Sequence, residues 1–310
     1  MNSVITVKDL KKSYKKVDAV KGINFEVKEG EIFGFLGPNG AGKSTTINMI
    51  CTMLPPSSGQ IVINGYDVNK EKDEVRSSIG IIFQENTLDE KLTANENLML
   101  HCRFYNVPKD KRHTRIHEVL EIVDLVDEQN QRVEEYSGGM KRRLEIARGL
   151  LHYPKVLFLD EPTVGLDPNT RAHLWKYILK LKEQEGITMF LTTHYLDEAE
   201  ISDRVAIMDQ GQIIAIDSPT SLKDQLGGDL IELSTEDNEQ ALKEINEKVE
   251  NADVTVNGDT IHLKVASSDA FISSFIKTLE IPITTLNIRK PTLNDVFLAF
   301  TGREIQATGE

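Results

Sequence analysis

Gly37-Pro38-Asn39-Gly40-Ala41-Gly42-Lys43-Ser44-Thr45 follows an apolar run, Ile32-Phe33-Gly34-Phe35-Leu36, and leads into residues 45–50, which have helical spacing. Strand, glycine-rich loop and helix in that order form the context a phosphate-binding loop requires. Glycines let backbone N–H groups turn inward toward phosphate oxygens, and the helix adds unpaired N–H groups at its positive end. Lys43 then reaches the β- and γ-phosphates, and the Ser44 hydroxyl takes a place on Mg²⁺. A glycine-rich turn with a solvated lysine is the plainer reading, which the full spacing and both flanks disfavour. The chain is expected to bind a nucleoside triphosphate.

Upstream, residues 4–7, 18–27 and 31–36 read as strands, with turns at Gly22 and at Lys28-Glu29-Gly30. Tyr14 lies among Lys11, Lys12, Lys15 and Lys16; it is either ordinary surface or an aromatic placed to stack on a purine. Downstream, Leu54-Pro55-Pro56 breaks the chain, and Asn64-Gly65 marks a hairpin between 60–63 and 66–68. An apolar strand from Ile79 to Phe83 ends at Gln84. That glutamine is either a loop residue without a task or one that reaches a nucleotide-bound Mg²⁺ or the attacking water.

Residues 92–136 turn helical, polar and long, with apolar positions three and four apart at 95–104 and 112–123. Ser137-Gly138-Gly139 opens another helix, with Ser137 as its N-cap. Bare backbone N–H groups there are a possible second anion site, although many helices start this way. Lys141-Arg142-Arg143 reads most simply as a solvated helix face.

Val156-Leu157-Phe158-Leu159-Asp160-Glu161 is the pattern of a buried parallel strand that delivers two acids at its carboxyl end, where such sheets bind ligands. Asp160 would hold Mg²⁺, and Glu161 would orient water as general base. Asp167 is an N-cap followed by Pro168 at the first helical position. A strand over 187–192 leads to His194, either an idle histidine or one that meets the γ-phosphate.

The chain has 310 residues, 39% of them hydrophobic, enough for two domains with sizeable cores. A formal net charge of −13 argues against nucleic acid as a partner. Cys51 and Cys102 lie far apart in no metal pattern and read as free thiols in a reducing compartment. With no secretory leader pattern and no apolar run of ~20 residues to span a membrane, a cytoplasmic location is expected.

These residues together resemble the ATP-binding subunits of ABC transporters. Gly37–Thr45 looks like the Walker A loop, Gln84 like the Q-loop and Ser137-Gly138-Gly139 like the centre of the signature. Residues 156–161 look like Walker B with its catalytic glutamate, Gly165-Leu166-Asp167 like the D-loop, and His194 like the switch histidine. Tyr14 stands where the adenine-stacking aromatic belongs. The signature departs from the usual Leu-Ser-Gly-Gly-Gln at Tyr136 and Met140.

The resemblance implies an α/β P-loop NTPase fold: a RecA-like core with an antiparallel β-subdomain and a helical subdomain over about residues 86–152, within a domain 1–227. It implies ATP and Mg²⁺ as ligands, with Ser44, Gln84 and Asp160 around the metal. Glu161, His194 and Gln84 would carry hydrolysis. It also implies a second copy, or a homologous ATPase subunit, paired head to tail so that ATP lies between one Walker A and the partner's signature. A separate transmembrane permease would hold the pair peripherally at the cytoplasmic face.

Past Gly227-Gly228, a β-α-β-β-α-β order suggests a small ferredoxin-like α+β domain over 228–310, its second helix at 270–279. The last helix, from about Pro291, resembles the C-terminal motif of ATPases paired with ABC-2-type permeases, a group of drug exporters. Its apolar side either docks on an ATPase domain, that of the same chain or of the partner subunit, or is buried within its own domain. The leading reading is an exporter ATPase. The rivals are a soluble ABC ATPase acting on ribosomes or DNA and an importer ATPase. Against the first stand the acidic charge, the single cassette and the absence of long heptad arms; against the second stands the α/β tail.

Overall fold

The computed structural model describes residues 2–15, 17–84, 86–248, 253–257, 260–265, 275 and 281–302. It divides into two compact units, one running to Ser218 and one beginning at Pro219.

The first unit contains two sheets. In one, β1 (Ser3–Tyr14), β2 (Val17–Lys28), β4 (Ser58–Ile63) and β5 (Tyr66–Asp67) pair antiparallel in the order β2-β1-β4-β5. The expected hairpin closes between β4 and β5 with Asn64 at φ 49° and Gly65 at φ 86°, the left-handed pair a two-residue turn demands.

The other sheet is ordered β10-β9-β3-β8-β7-β6. Its strands β6 (Ile79–Ile82), β7 (Val156–Asp160), β8 (Thr188–Thr193), β3 (Ile32–Leu36) and β9 (Arg204–Asp209) are parallel, and β10 (Gln212–Asp217) closes one edge antiparallel. Side-chain alternation along these strands divides two cores. Phe33, Phe35, Phe158 and Phe190 join residues of the antiparallel sheet and of α1 (Lys43–Ile50) on one side. Ile32, Leu157, Leu159, Met189 and Leu191 join a helical layer on the other. That two-sided burial is why β3, and β7 up to Asp160, read as continuous apolar runs rather than as alternating ones.

The helical layer holds the expected insert. α3 (Ala94–Phe104) starts at a capping box made by Thr93 and Glu96; α4 (Arg112–Ile122) and α5 (Gly138–Leu150) follow. α2 (Lys72–Ser78) precedes β6, while α6 (Pro168–Glu185) and the short α7 (Leu196–Ala199) flank β8.

The second unit contains α8 (Pro219–Leu226), β11 (Asp229–Thr235), α9 (Asn238–Lys248), β12 (Asp253–Asn257), β13 (Thr260–Val265), β14 (Ile283–Arg289) and α10 (Leu293–Thr301). Its sheet is antiparallel throughout, ordered β12-β13-β11-β14, the strand order of a ferredoxin-like sandwich. Gly258 of the expected turn lies outside the described residues. So does the helix expected at 270–279, apart from Phe275, which is buried with Ile231, Leu233, Ile245 and Leu263.

The boundary differs from the one read at Gly227-Gly228. α8 belongs to the second unit because it packs against α10. α10 buries Leu293, Val296 and Phe297 and leaves Leu298 and Phe300 exposed.

Candidate nucleotide site

Parallel register assembles the site. Leu36 of β3 pairs with Thr193 of β8, and Asp160 of β7 pairs with Thr192. Gly37, Glu161 and His194 therefore emerge side by side at the carboxyl edge of three adjacent strands, where such sheets bind ligands.

The loop after β3 is held by its own backbone: Ala41 N donates to Pro38 O at 3.2 Å, and Thr46 N and Oγ1 both donate to Gly42 O at 2.9 Å. Gly42, the N-cap of α1, has φ 109°, and a Cβ there would fall 2.5 Å from Ala19 O. Only glycine fits both demands. Lys43 is 4% exposed; its Nζ donates to Gly37 O at 2.7 Å and to Pro38 O at 3.2 Å, and lies 3.8 Å from Glu161 Oε1. Burial holds this ammonium below its ordinary value, against the pull of Glu161 and Asp160. Asn39, Gly40 and Ser44 face solvent, and Thr45 is half-buried.

At the end of β7, Thr192 Oγ1 donates to Asp160 Oδ1 at 2.5 Å. Burial raises the Asp160 carboxyl above its ordinary range. Glu161 occupies the left-handed region at φ 46°, held there by its N–H, which donates to Thr192 O at 3.1 Å. Its Oε1 stands 3.2 Å from His194 Nδ1. The His194 ring, with help from Lys43 and against burial, holds Glu161 below the usual carboxylate range. A non-glycine residue at positive φ is uncommon, and such strain clusters at functional sites.

Lys43, Asp160, Glu161 and His194 are thus brought together. Gln84 lies two residues beyond β6, at the same edge, and is exposed. Tyr14, at the end of β1, is 45% exposed, with Lys12 Nζ 5.3 Å from its ring centre.

Ser137, Gly138, Gly139 and Asp167 form a second locus that makes no hydrogen bond or ion pair with that group. Ser137 Oγ caps α5 by accepting from Met140 N at 3.3 Å, and Asp167 caps α6 by accepting from Asn169 N and Thr170 N at 3.1 Å. The two helix starts abut: a Cβ on Gly139 would land 2.5 Å from Thr170 Cγ2. A cleft of about 300 Å³ beside them is lined by Ser137, Gly139, Met140 and Thr170, among others. Both departures in the signature face inward. Met140 packs against the helical core, and buried Tyr136, its hydroxyl pKa pushed up to about 12 by burial, donates to Glu128 O at 2.7 Å.

Three features escaped sequence reasoning. Lys141-Arg142-Arg143 is not a solvated face. Arg142 is 7% exposed: its Nε donates to Pro162 O at 2.6 Å and its Nη1 to Glu145 Oε2 at 2.7 Å and to Phe83 O. Arg143 turns back to Val123 O at 2.9 Å. Glu198, 1% exposed, accepts from Thr193 Oγ1 at 2.5 Å and from Thr163 Oγ1, tying the turn before Asp167 to the strand end beside His194. Burial raises its carboxyl above the usual range despite both donors. A faint signal existed for the arginine: Arg142 and Glu145 stand three apart in a helix otherwise lined by Leu144, Ile146 and Ala147.

A cleft of about 500 Å³ lies at the other end of the strands, lined by Lys155, Gly186 and Thr188; none of the motif residues reaches it. Among the described residues no group of three or more His, Cys, Asp or Glu could cage a metal alone, and no helix is long and apolar enough to cross a membrane.

Comparison with known proteins agrees with this geometry. Residues 20–164 match the ABC transporter family, and residues 218–301 match the C-terminal domain of DrrA1-3-like ATP-binding proteins. The linearmycin resistance ATP-binding protein LnrL of Bacillus subtilis is 41% identical over 98% of this chain and 100% of its own length. The chain belongs to the ABC transporter ATP-binding subunits.

Within this family the ABC ATPase is similar to the doxorubicin resistance ATP-binding protein DrrA of Mycobacterium tuberculosis, 36% identical over 96% of this chain and 93% of the relative. It is likewise similar to the Nod factor export ATP-binding protein I of Rhizobium sp., 36% identical over 97% and 98%. The solved structure of cbiO1 from Clostridium perfringens, part of the ABC transporter complex cbiONQ, has a TM-score of 0.68 at 28% identity, covering 80% of this chain and 96% of that one. The ABC cassette MJ0796, solved as a dimer bound to ADP and Pi, has a TM-score of 0.62 at 31% identity, covering 69% and 98%. This cassette is therefore an ATPase, and its group is that of the exporter subunits.

Proposed function

We propose that this ABC ATPase is the motor of an exporter whose membrane spans belong to a separate permease, and that it works as a head-to-tail pair. One observation carries the pairing: Ser137-Gly138-Gly139 lies at the abutting starts of α5 and α6 and makes no hydrogen bond or ion pair with Lys43, Asp160, Glu161 or His194. Each chain then holds half a site, and a second copy supplies the signature. The dimeric MJ0796 cassette supports this reading. LnrL and DrrA are named for resistance to linearmycin and doxorubicin, and a third relative for Nod factor export, which favours outward transport here as well.

In this reading the loop Gly37–Thr45 cradles the phosphates of ATP, and Lys43 leaves the Gly37 and Pro38 carbonyls for the β- and γ-phosphates. Tyr14 stacks on the base. Asp160 and the Ser44 hydroxyl, with the Gln84 amide oxygen, would hold Mg²⁺. The fit is favourable: the donors are all hard oxygens, and burial has already raised Asp160, a cost that a cation relieves. When bound, the ion neutralises charge developing on the γ-phosphoryl oxygens. Glu161 orients and deprotonates the attacking water, and His194 keeps Glu161 ionised and meets the γ-phosphate. Asp167 faces the partner's site across the pair. The second unit, which we place from Pro219 onward, stabilises or regulates the pair.

Purification of the chain from native membranes tests the permease assignment. A membrane polypeptide that travels with it in fixed ratio is expected, and its loss on ATP-independent washing of the membranes alone would contradict a seated motor.

A further inference from the structure

Arg142 joins two parts of the molecule that ATP must act on separately. It stands four residues beyond Gly138, about 6 Å along a helix whose first turn carries the signature. Its guanidinium grips main-chain oxygens beside two strand ends: Asp160 O at 3.4 Å at the end of β7 and Pro162 O at 2.6 Å just past it, and Phe83 O before Gln84. Glu145, 2% exposed, is its counter-ion at 2.7 Å.

The grip extends along the same face of α5. Glu145 Oε1 accepts from Thr87 N at 3.0 Å and from Thr87 Oγ1 at 3.2 Å. Arg148 donates to Thr87 Oγ1, and to Ile81 O at 3.4 Å. Ile81, Phe83 and Thr87 are thus held by three side chains spaced three apart on one helix. A buried ion pair contributes little net stability over apolar packing of the same volume. Its presence here is better accounted for by what it connects.

We propose that Arg142, with Glu145 as its buried partner, couples the two nucleotide sites of the pair. A γ-phosphate seated on Ser137-Gly138-Gly139 belongs to the partner's ATP. Any shift of α5 on that contact moves Arg142, and with it the backbone that aims Gln84, Asp160 and Glu161 in the chain's own site. Arg142 is a positioning residue: it touches neither nucleotide. The proposal rests on the head-to-tail reading above.

A double-mutant cycle on the full-length chain tests it, with ATP turnover measured for the parent, Ser137→Ala, Arg142→Gln and the double variant. If Arg142 relays what the signature senses, each single change lowers kcat about tenfold or more, with KM for ATP held within about threefold. The double change then costs little beyond the worse single one. Losses that multiply, or an Arg142→Gln chain with parental kcat, overturn the proposal. Should Arg142→Gln fail to fold, Arg142→Gln/Glu145→Gln removes both charges and takes its place in the cycle.

Sedimentation of the Glu161→Gln chain with and without ATP separates the two claims. No ATP-dependent pairing would sink the head-to-tail reading and this proposal with it. Pairing combined with multiplicative losses would sink the proposal alone.

Discussion

Glu161 Oε1 lies 3.2 Å from His194 Nδ1 and 3.8 Å from Lys43 Nζ, so one carboxylate oxygen stands between a buried histidine and a buried lysine. These residues are more than thirty positions apart or further along the chain, yet the parallel pairing of β3, β8 and β7 leaves them no other place to meet. The left-handed backbone at Glu161 aims the side chain back across the edge rather than out along it.

Glu161→Gln keeps the shape and removes the proposed base. ATP binding by the full chain is expected to stay within a few-fold of the parent, while steady-state phosphate release falls by about 10²-fold or more, the range of a positioned general base. Equilibrium binding of a fluorescent ATP analogue and a phosphate-release assay check both halves. Unchanged release would show that Glu161 is not the base.

His194→Ala should shift the pH dependence of turnover. In the proposed mechanism Glu161 acts when ionised, and the His194 contact, the largest cause of its shift, holds its pKa below the usual range. Without the ring the pKa rises, so the acid limb of the kcat profile moves to higher pH. A uniform drop in kcat with the acid limb in place would contradict this.

In the second unit, Arg289 on β14 donates to Glu232 Oε1 at 2.7 Å and, bidentately, to Asp295 at 2.6 and 2.9 Å. For both carboxyls burial raises the pKa, but Arg289 and, for Asp295, Thr292 outweigh it, so both end below the usual range. A depressed folded pKa contributes stability that is present above the unfolded value and lost as pH falls through the folded one. Arg289→Met should cost about 2 kcal/mol at neutral pH, the scale of hydrogen bonds to charged groups, and should flatten the loss on acidification. Hydrogen exchange at the β11 and β14 amides of the full chain reads this locally; an unchanged acid dependence would contradict it.

The glycine loop after β3 and the acidic end of β7 were legible because backbone geometry constrains sequence locally. Gly42 must be glycine at φ 109°, and Asp160-Glu161 must close an apolar strand. The hairpin at Asn64-Gly65 and the caps at Ser137 and Asp167 were legible for the same reason. Arg142 was not, since a Lys-Arg-Arg run carries no sign of its partners. Phe83 and Pro162 stand 59 and 20 residues away and offer only carbonyls, which every residue has. Glu198 was missed likewise, because its donor Thr163 is 35 residues upstream. The domain boundary shifted from Gly228 to Pro219 through a contact between α8 and α10, helices separated by most of the second unit. A glycine pair marks a flexible point, but packing decides which side of it a helix joins.

The central claim is that each chain holds half a site, and complementation tests it most directly. Lys43→Ala disables the phosphate loop and leaves the signature; Ser137→Arg blocks the signature and leaves the loop. Each variant alone should be inactive in ATP turnover. Mixed in equal amounts they should recover turnover, with roughly a quarter of the parent rate as the upper limit, since half of the two-fold pairs are mixed and each mixed pair has one complete site; the coupling through Arg142 holds the rate below that limit. Recovery above either variant alone supports the head-to-tail pair. An inactive mixture of two folded, ATP-responsive chains, or a Ser137→Arg chain fully active by itself, would contradict it.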